Sequence, residues 1–293
     1  MSNQVERVTI MILVSIILAL ILERLGARAN YWQISYYANG YLKRSNRLLA
    51  SNGLFSSAIG FLIWLFLPVV AMACIYNLSE FVLWELAINI AVLLVCFGCA
   101  KQRALYKAYL NALTRDDSTA ASLYALQMGQ KRTEDQQGGE TFGQTLAWVN
   151  FRFYCAVIFW FVILGAPGAV LYALVRTFAD LVRDNHKVIF AKHFKLIHKL
   201  LFWLDWLPAR IASFGYLVIG NFNKGTSCWL HYALDFSSPN RKVVTYTALA
   251  AEQVEKRYYG CTYEATCMIK LVKRNVLFYL VLIALLTLFG GLS

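Results

Sequence analysis

The chain has 293 residues, 59% of them hydrophobic and 15% charged, and a net charge of +12. Water-soluble domains carry about 25% charged residues, so the composition excludes an ordinary soluble domain and makes lipid the solvent. The excess of base then reads as loop charge that orients a membrane protein and meets anionic headgroups, not as a nucleic-acid surface.

Five runs are nearly free of charge: Val8–Leu22, Phe55–Tyr76, Phe81–Ala100, Phe153–Val175 and Val276–Leu292. A helix needs about 20 apolar residues to cross the hydrocarbon layer. Val8–Leu22 is shorter than that, but it lacks a small-x-small cleavage site and Glu23-Arg24 follows at once. It reads as a retained helix, not a signal peptide. Tyr31, Trp32, Tyr36, Tyr37 and Tyr41 form an aromatic cluster suited to the headgroup layer.

Basic residues set the expected topology. Glu23–Leu54 and Lys101–Leu146 are both rich in Lys and Arg, whereas the turn Asn77–Glu80 has none. The two basic regions are placed in the cytoplasm and the turn outside. A single crossing by Phe153–Val175 would then push Arg176, Arg183, Lys187, Lys192, Lys195 and Lys199 outward. Gly165-Ala166-Pro167-Gly168 interrupts that run, and this chemistry predicts a broken helix or re-entrant hairpin with both ends inside. Leu200–Gly220 contains Asp205, Pro208 and Arg210 and is followed by more base, so a second half-inserted segment broken at Pro208 is expected.

The expected fold is all-α: a single polytopic membrane domain over residues 1–293, with about four crossings, two broken or re-entrant segments and amphipathic interfacial helices. Phe190, Phe194, Ile197 and Leu201, with Lys192, Lys195 and Lys199 on other faces, predict one such basic amphipathic helix on the cytoplasmic leaflet. Residues 129–146 read as a mobile cytoplasmic loop. Within them, Gly138–Thr145 has the spacing of a phosphate-binding loop, but Gln144 stands where that loop needs lysine.

No metal or cofactor is expected. His186, His193, His198 and His231 form no metal-binding pair, and Cys96-Phe97-Gly98-Cys99 lies in an apolar run where two small packing residues suffice. No Ser-His-Asp signature is readable, so no catalytic residue is assigned. Charged residues at membrane edges carry more information, because each faces a partner or a wet cavity. Arg152 opens the Phe153 run within Trp148-Val149-Asn150-Phe151-Arg152-Phe153-Tyr154. Asp205 and Arg210 flank Pro208, and Asp205 pairing with Arg210 or Arg152 is one expectation. Asp117 or Ser118 is expected to cap a helix over Thr119–Met128.

The strings Glu23-Arg24, Lys101-Gln102-Arg103, Arg115-Asp116-Asp117-Ser118, Trp148–Tyr154, Phe159-Trp160 and Leu204-Asp205-Trp206-Leu207-Pro208-Ala209-Arg210 together resemble the AmpE family. Its members are inner-membrane proteins associated with β-lactamase induction in Gram-negative bacteria. A broader resemblance, through Arg115–Ser118, Gly165–Gly168, Leu207–Arg210 and Ser237-Ser238-Pro239-Asn240, extends to the CobD/CbiB membrane synthases of cobalamin assembly. Those synthases carry acidic stretches where this chain has Trp148-Val149-Asn150-Phe151-Arg152 and Arg176-Thr177-Phe178-Ala179. With acid lost and base gained, the substitutions favour an anion-binding pocket over a carboxylate metal site.

The resemblance implies a regulatory, non-enzymatic modulator in the bacterial inner membrane, functionally linked to an AmpD-type amidase that processes anhydro-muropeptides. Basic loops are expected in the cytoplasm and both termini in the periplasm. Arg115, Asp117, Asn150, Arg152, Arg176, Asp205 and Arg210 are the expected binding residues for an anionic small molecule or muropeptide-like ligand at the cytoplasmic face. The alternatives are a CobD/CbiB-like amide-forming synthase and a small transporter.

Overall fold

In a computed structural model, the structure describes residues 2–25, 30–49, 57–77, 81–131, 139–184 and 191–288. Among them every regular element is helical: α1 (Ser2–Leu25), α2 (Ile34–Leu49), α3 (Ala58–Asn77), α4 (Val82–Phe97), α5 (Ala100–Leu113), α6 (Ser118–Met128), α7 (Phe142–Asn150), α8 (Ala156–Asp184), α9 (Phe194–Ile219), α10 (Phe222–Ala233), α11 (Asn240–Glu252) and α12 (Thr262–Leu288). The protein is an all-α polytopic membrane protein. By length and composition, Ala58–Tyr76 and Phe142–Asp184 can each cross a bilayer, as can a third span if Val82–Phe97 and Ala100–Leu113 form one broken segment.

The chain divides into two compact units. The first holds Met1–Gly98, Ala156–Asp205 and Ile283–Ser293. Here α8 packs against α1, α2, α3 and α4. Phe61, Leu65, Leu93, Phe97, Phe161, Tyr172 and Phe178 are fully buried in its core. The predicted interruption of α8 is present: Gly165 has φ 66° and ψ −157°, a conformation that strains any residue with a Cβ. The 43 residues of Phe142–Asp184 would extend about 65 Å as one straight helix, twice the hydrocarbon thickness. Gly168 shows how they fit, since a Cβ there would run into the carbonyl oxygen of Trp160. Residues eight apart touch only where the helix doubles back.

Pro208 behaves differently from its expected role. The structure runs α9 straight through Pro208 from Phe194 to Ile219, so the second predicted break is absent. A proline inside a helix strands the carbonyl four residues earlier. For Pro208 that carbonyl belongs to Leu204, and the Trp160 indole nitrogen donates to it at 3.0 Å. Pro68 in α3 strands the Trp64 carbonyl, which accepts from Tyr41 Oη at 2.9 Å. Both helices continue because a distant aromatic donor replaces the missing amide.

The second unit holds Cys99–Cys155 and Trp206–Leu282. Helices α5 and α6 pack together, as do α7 with α11 and α10 with α11. Asp117 caps α6 by accepting from the Ala120 amide at 2.9 Å, as its position predicts. Thr141 and Gln144 form a capping box that starts α7. The expected loop over 129–146 is therefore shorter than foreseen, because Phe142 onward is helix; residues 132–138 lie outside the described residues.

Candidate functional site

The Asn-Phe-Arg-Phe-Tyr string begins where α7 stops being α-helical. Phe151–Cys155 adopts a π-helical turn before α8 begins. Such turns insert one extra residue per turn and recur at functional sites, because they rotate side chains off the regular helical face. Arg152 sits in this turn, buried, with its guanidinium 5.9 Å from the centre of the Trp148 ring. Asn150 lies at the end of α7, and its Oδ1 accepts from Cys155 Sγ at 3.6 Å.

A second arginine reaches the same indole. Arg241, at the start of α11, places its guanidinium 5.6 Å from the Trp148 ring centre. Its Nε donates to Glu140 Oε1 at 2.8 Å and Oε2 at 3.0 Å, and its Nη2 donates to the Gly129 carbonyl at 2.7 Å. Glu140 and Arg241 are both buried, so this fork-to-fork pair is shielded from water. It ties the end of α6 to the start of α7. In the sequence Glu140 falls within the stretch expected as a mobile loop, and Arg241 within the basic stretch that follows Leu200–Gly220. The adjacency of Arg241 to Ser237-Ser238-Pro239-Asn240 was the available signal.

The start of α7 has the spacing of a phosphate-binding loop but is occupied by the protein's own carboxylate. Glu264 is fully buried; its Oε1 accepts from the Gly143 amide and its Oε2 from the Gly260 amide, each at 2.8 Å. A carboxylate at a helix N-terminus satisfies free amides and the helix dipole together. Gly143 is required by this contact, since a Cβ there would lie 2.5 Å from Glu264 Oε1.

Arg210 is a structural fork. Its Nε donates to the Ala233 carbonyl at 2.9 Å, its Nη2 to the Asp235 carbonyl at 3.2 Å, and its Nη1 to Asn240 Oδ1 at 3.2 Å and the Trp206 carbonyl at 3.0 Å. It also lies over Trp206, 4.1 Å from the ring centre. It thus satisfies the end of α10 and joins Leu207-Pro208-Ala209-Arg210 to Ser237-Ser238-Pro239-Asn240. Its partners are carbonyls and an amide, and the expected pairing of Asp205 with Arg210 is not formed.

Two other expected residues meet in the first unit. Tyr172 Oη donates to Asp205 Oδ1 at 2.8 Å, and the Arg176 guanidinium lies 5.9 Å from the centre of the same tyrosine ring. Arg176 Nη2 also donates to the Cys96 carbonyl at 3.1 Å. Both charges are buried, Arg176 at 1% exposure and Asp205 at 3%. Arg115 and Asp117, by contrast, are exposed in the α5–α6 turn, where Asp117 is engaged as a helix cap. The seven expected residues therefore divide into the Trp148 group, the Arg210 fork, the Tyr172 group and a solvated turn. Among the described residues, no three His, Cys, Asp or Glu side chains cluster to hold a metal ion.

The sequence profile described as "Regulatory signalling modulator protein AmpE" matches residues 11–293. The chain belongs to the AmpE family. Protein AmpE of Shigella flexneri is 28% identical over 295 residues, covering 96% of this chain and all of that protein. Cobalamin biosynthesis protein CobD of Chromobacterium violaceum is 37% identical over 111 residues, 36% of this chain and 35% of that protein. The CobD of Stutzerimonas stutzeri is 32% identical over 85 residues, 29% of this chain and 28% of that protein. The AmpE relationship thus spans nearly the whole chain, and the CobD similarity about a third of it. No solved structure matches the chain significantly.

Proposed function

We propose that this AmpE-family protein is an inner-membrane modulator of β-lactamase induction that senses cell-wall recycling, functionally linked to an AmpD-type amidase. In this reading it binds an anionic, muropeptide-like ligand on its cytoplasmic side, at Trp148. The observation that carries the proposal is the convergence of two buried guanidiniums, Arg152 and Arg241, on that one indole. A carboxylate or phosphate seated there exchanges with Glu140 for the Arg241 fork. Glu140 precedes the cap of α7 and Gly129 ends α6, so the exchange loosens the tie between those helices. Ligand occupancy becomes a change in helix packing, which is what a modulator needs. Basic loops in the cytoplasm and both termini in the periplasm complete the arrangement.

The test is thermal unfolding of the purified full chain, titrated with a 1,6-anhydro-muropeptide, for the parent and for Arg152→Ala. The parent gains stability with ligand and the variant does not. Equal shifts in both proteins, or none in either, refute the pocket. The CobD similarity favours one further reading, an amide-forming synthase. ATP consumption by the purified protein with a muropeptide or cobyric-acid-like carboxylate is its test.

A further inference from the structure

Helix α9 is not among the helices whose overall composition suits a membrane crossing. Two of its charges, however, point inward: Asp205 and Arg210 are buried. Averaging around the helix therefore misstates its outer face.

That outer face is a single stripe. Lys195, Lys199, Trp203, Leu207, Phe214 and Val218 are all exposed, and they follow one another at intervals of four or seven residues, which is one side of a helix. The chemistry along the stripe changes in one direction only. Two ammonium groups come first, an indole follows, and the rest is apolar. Trp203, Leu207, Phe214 and Val218 are between 42% and 57% exposed, while Ile197, Ala209, Ala212 and Tyr216, away from the stripe, are buried. At 1.5 Å per residue Trp203 lies about 6 Å beyond Lys199, and Phe214 about 16 Å beyond Trp203. The polar layer on each side of a bilayer is roughly 6 Å thick, so these spacings match a passage from headgroups through the interface into hydrocarbon.

We propose that the exposed stripe of α9 is a lipid-contact surface that enters an anionic phospholipid bilayer at an angle. Lys195 and Lys199 sit on the phosphate groups, Trp203 lies at the interface, and Leu207, Phe214 and Val218 lie in the acyl chains. Snorkelling lysines beside an indole fix the depth of the helix, and an outer face free of charge beyond Trp203 avoids the penalty of charge in hydrocarbon. The inward Asp205 and Arg210 escape that penalty through their protein partners. This surface stands independently of the ligand proposed at Trp148.

The experiment places the full chain in phosphatidylcholine–phosphatidylglycerol vesicles containing lipids brominated either near the headgroup or at mid-chain. The Trp203 signal is the difference between the parent and Trp203→Phe. It is expected to be quenched roughly twofold more by the shallow bromine, and the indole introduced by Phe214→Trp in the Trp203→Phe background roughly twofold more by the deep one. Equal depth for the two positions means the helix lies flat, and protection from both lipids means another protein surface covers it; either result overturns the proposal. In parallel, Lys195→Gln/Lys199→Gln is expected to retain fewer phosphatidylglycerol molecules in native mass spectrometry. Unchanged retention overturns the headgroup assignment.

Discussion

The Trp160 indole nitrogen donates to the Leu204 carbonyl at 3.0 Å, and that carbonyl is the one Pro208 leaves without an amide partner. The donor and the proline therefore act as a pair, although the donor lies 44 residues from the carbonyl that the proline strands. Trp160→Phe keeps an aromatic ring, though a smaller one, but removes the N–H, stranding a buried acceptor at about 1–3 kcal/mol. In a Pro208→Ala background residue 208 supplies the amide itself, so the same substitution is expected to cost much less. Denaturant unfolding of the four proteins in detergent checks this. Equal losses with and without the proline would refute the pairing. Tyr41→Phe with Pro68→Ala is expected to behave the same way through the Trp64 carbonyl.

That pairing shows why the break at Gly165 is readable in the sequence and the continuity of α9 through Pro208 is not. Gly165-Ala166-Pro167-Gly168 carries its signal locally, since glycine permits the positive φ that the reversal uses. Pro208 looks like a break until Trp160 is seen beside it, and no local rule supplies that neighbour. The Asp117 cap was legible for the same reason as the glycine break: the acceptor and the amide are three residues apart. Glu140 and Arg241 are 101 residues apart, and each looks like a solvated loop charge on its own. Trp148–Tyr154 stood out as a distinctive string, but its π-helical turn depends on packing that the string does not encode.

Arg210 separates a structural arginine from a ligand-binding one. Its fork reaches Ala233, Asp235 and Asn240 at once, and a lysine ammonium has one centre from which to do so. Arg210→Lys is expected to lower stability by about 3 kcal/mol. Asn240→Ala removes one of the same bonds, so the double variant should lose less than the sum of the single losses. Unfolding midpoints of the two single variants and the double variant test this. Strict additivity would contradict the shared fork.

The Glu140–Arg241 pair is buried at both ends, so removing one partner leaves an uncompensated charge. Glu140→Ala is expected to cost about 3–5 kcal/mol. Glu140→Gln/Arg241→Met removes both charges and should unfold less readily than Glu140→Ala, even though it carries more changes. Chemical denaturation in detergent ranks them. If the double variant is the weakest, the pair stabilises through more than mutual compensation of charge.

Asp235 supplies a pH dependence with a defined sign. Hydrogen bonds from the Ser237 and Ser238 hydroxyls and the Ser237 amide hold its carboxyl down from the ordinary 3.8 to about 2. A folded value below the unfolded one means that the carboxylate's contribution is complete above the unfolded value. It is lost as pH falls from there through the folded value. Thermal unfolding of the parent and of Asp235→Asn should therefore differ by a constant amount at pH 5 and above, roughly one unit or more over the unfolded value. The difference should shrink steadily between 3.8 and about 2 as the parent's carboxylate takes up its proton. Asp235 also lends its backbone carbonyl to Arg210, so protonation loosens the turn that the Arg210 fork holds. In the Arg210→Lys background the acid-dependent difference is expected to persist, because it arises from the serines and not from the arginine. Its disappearance there would assign the pH dependence to Arg210 instead.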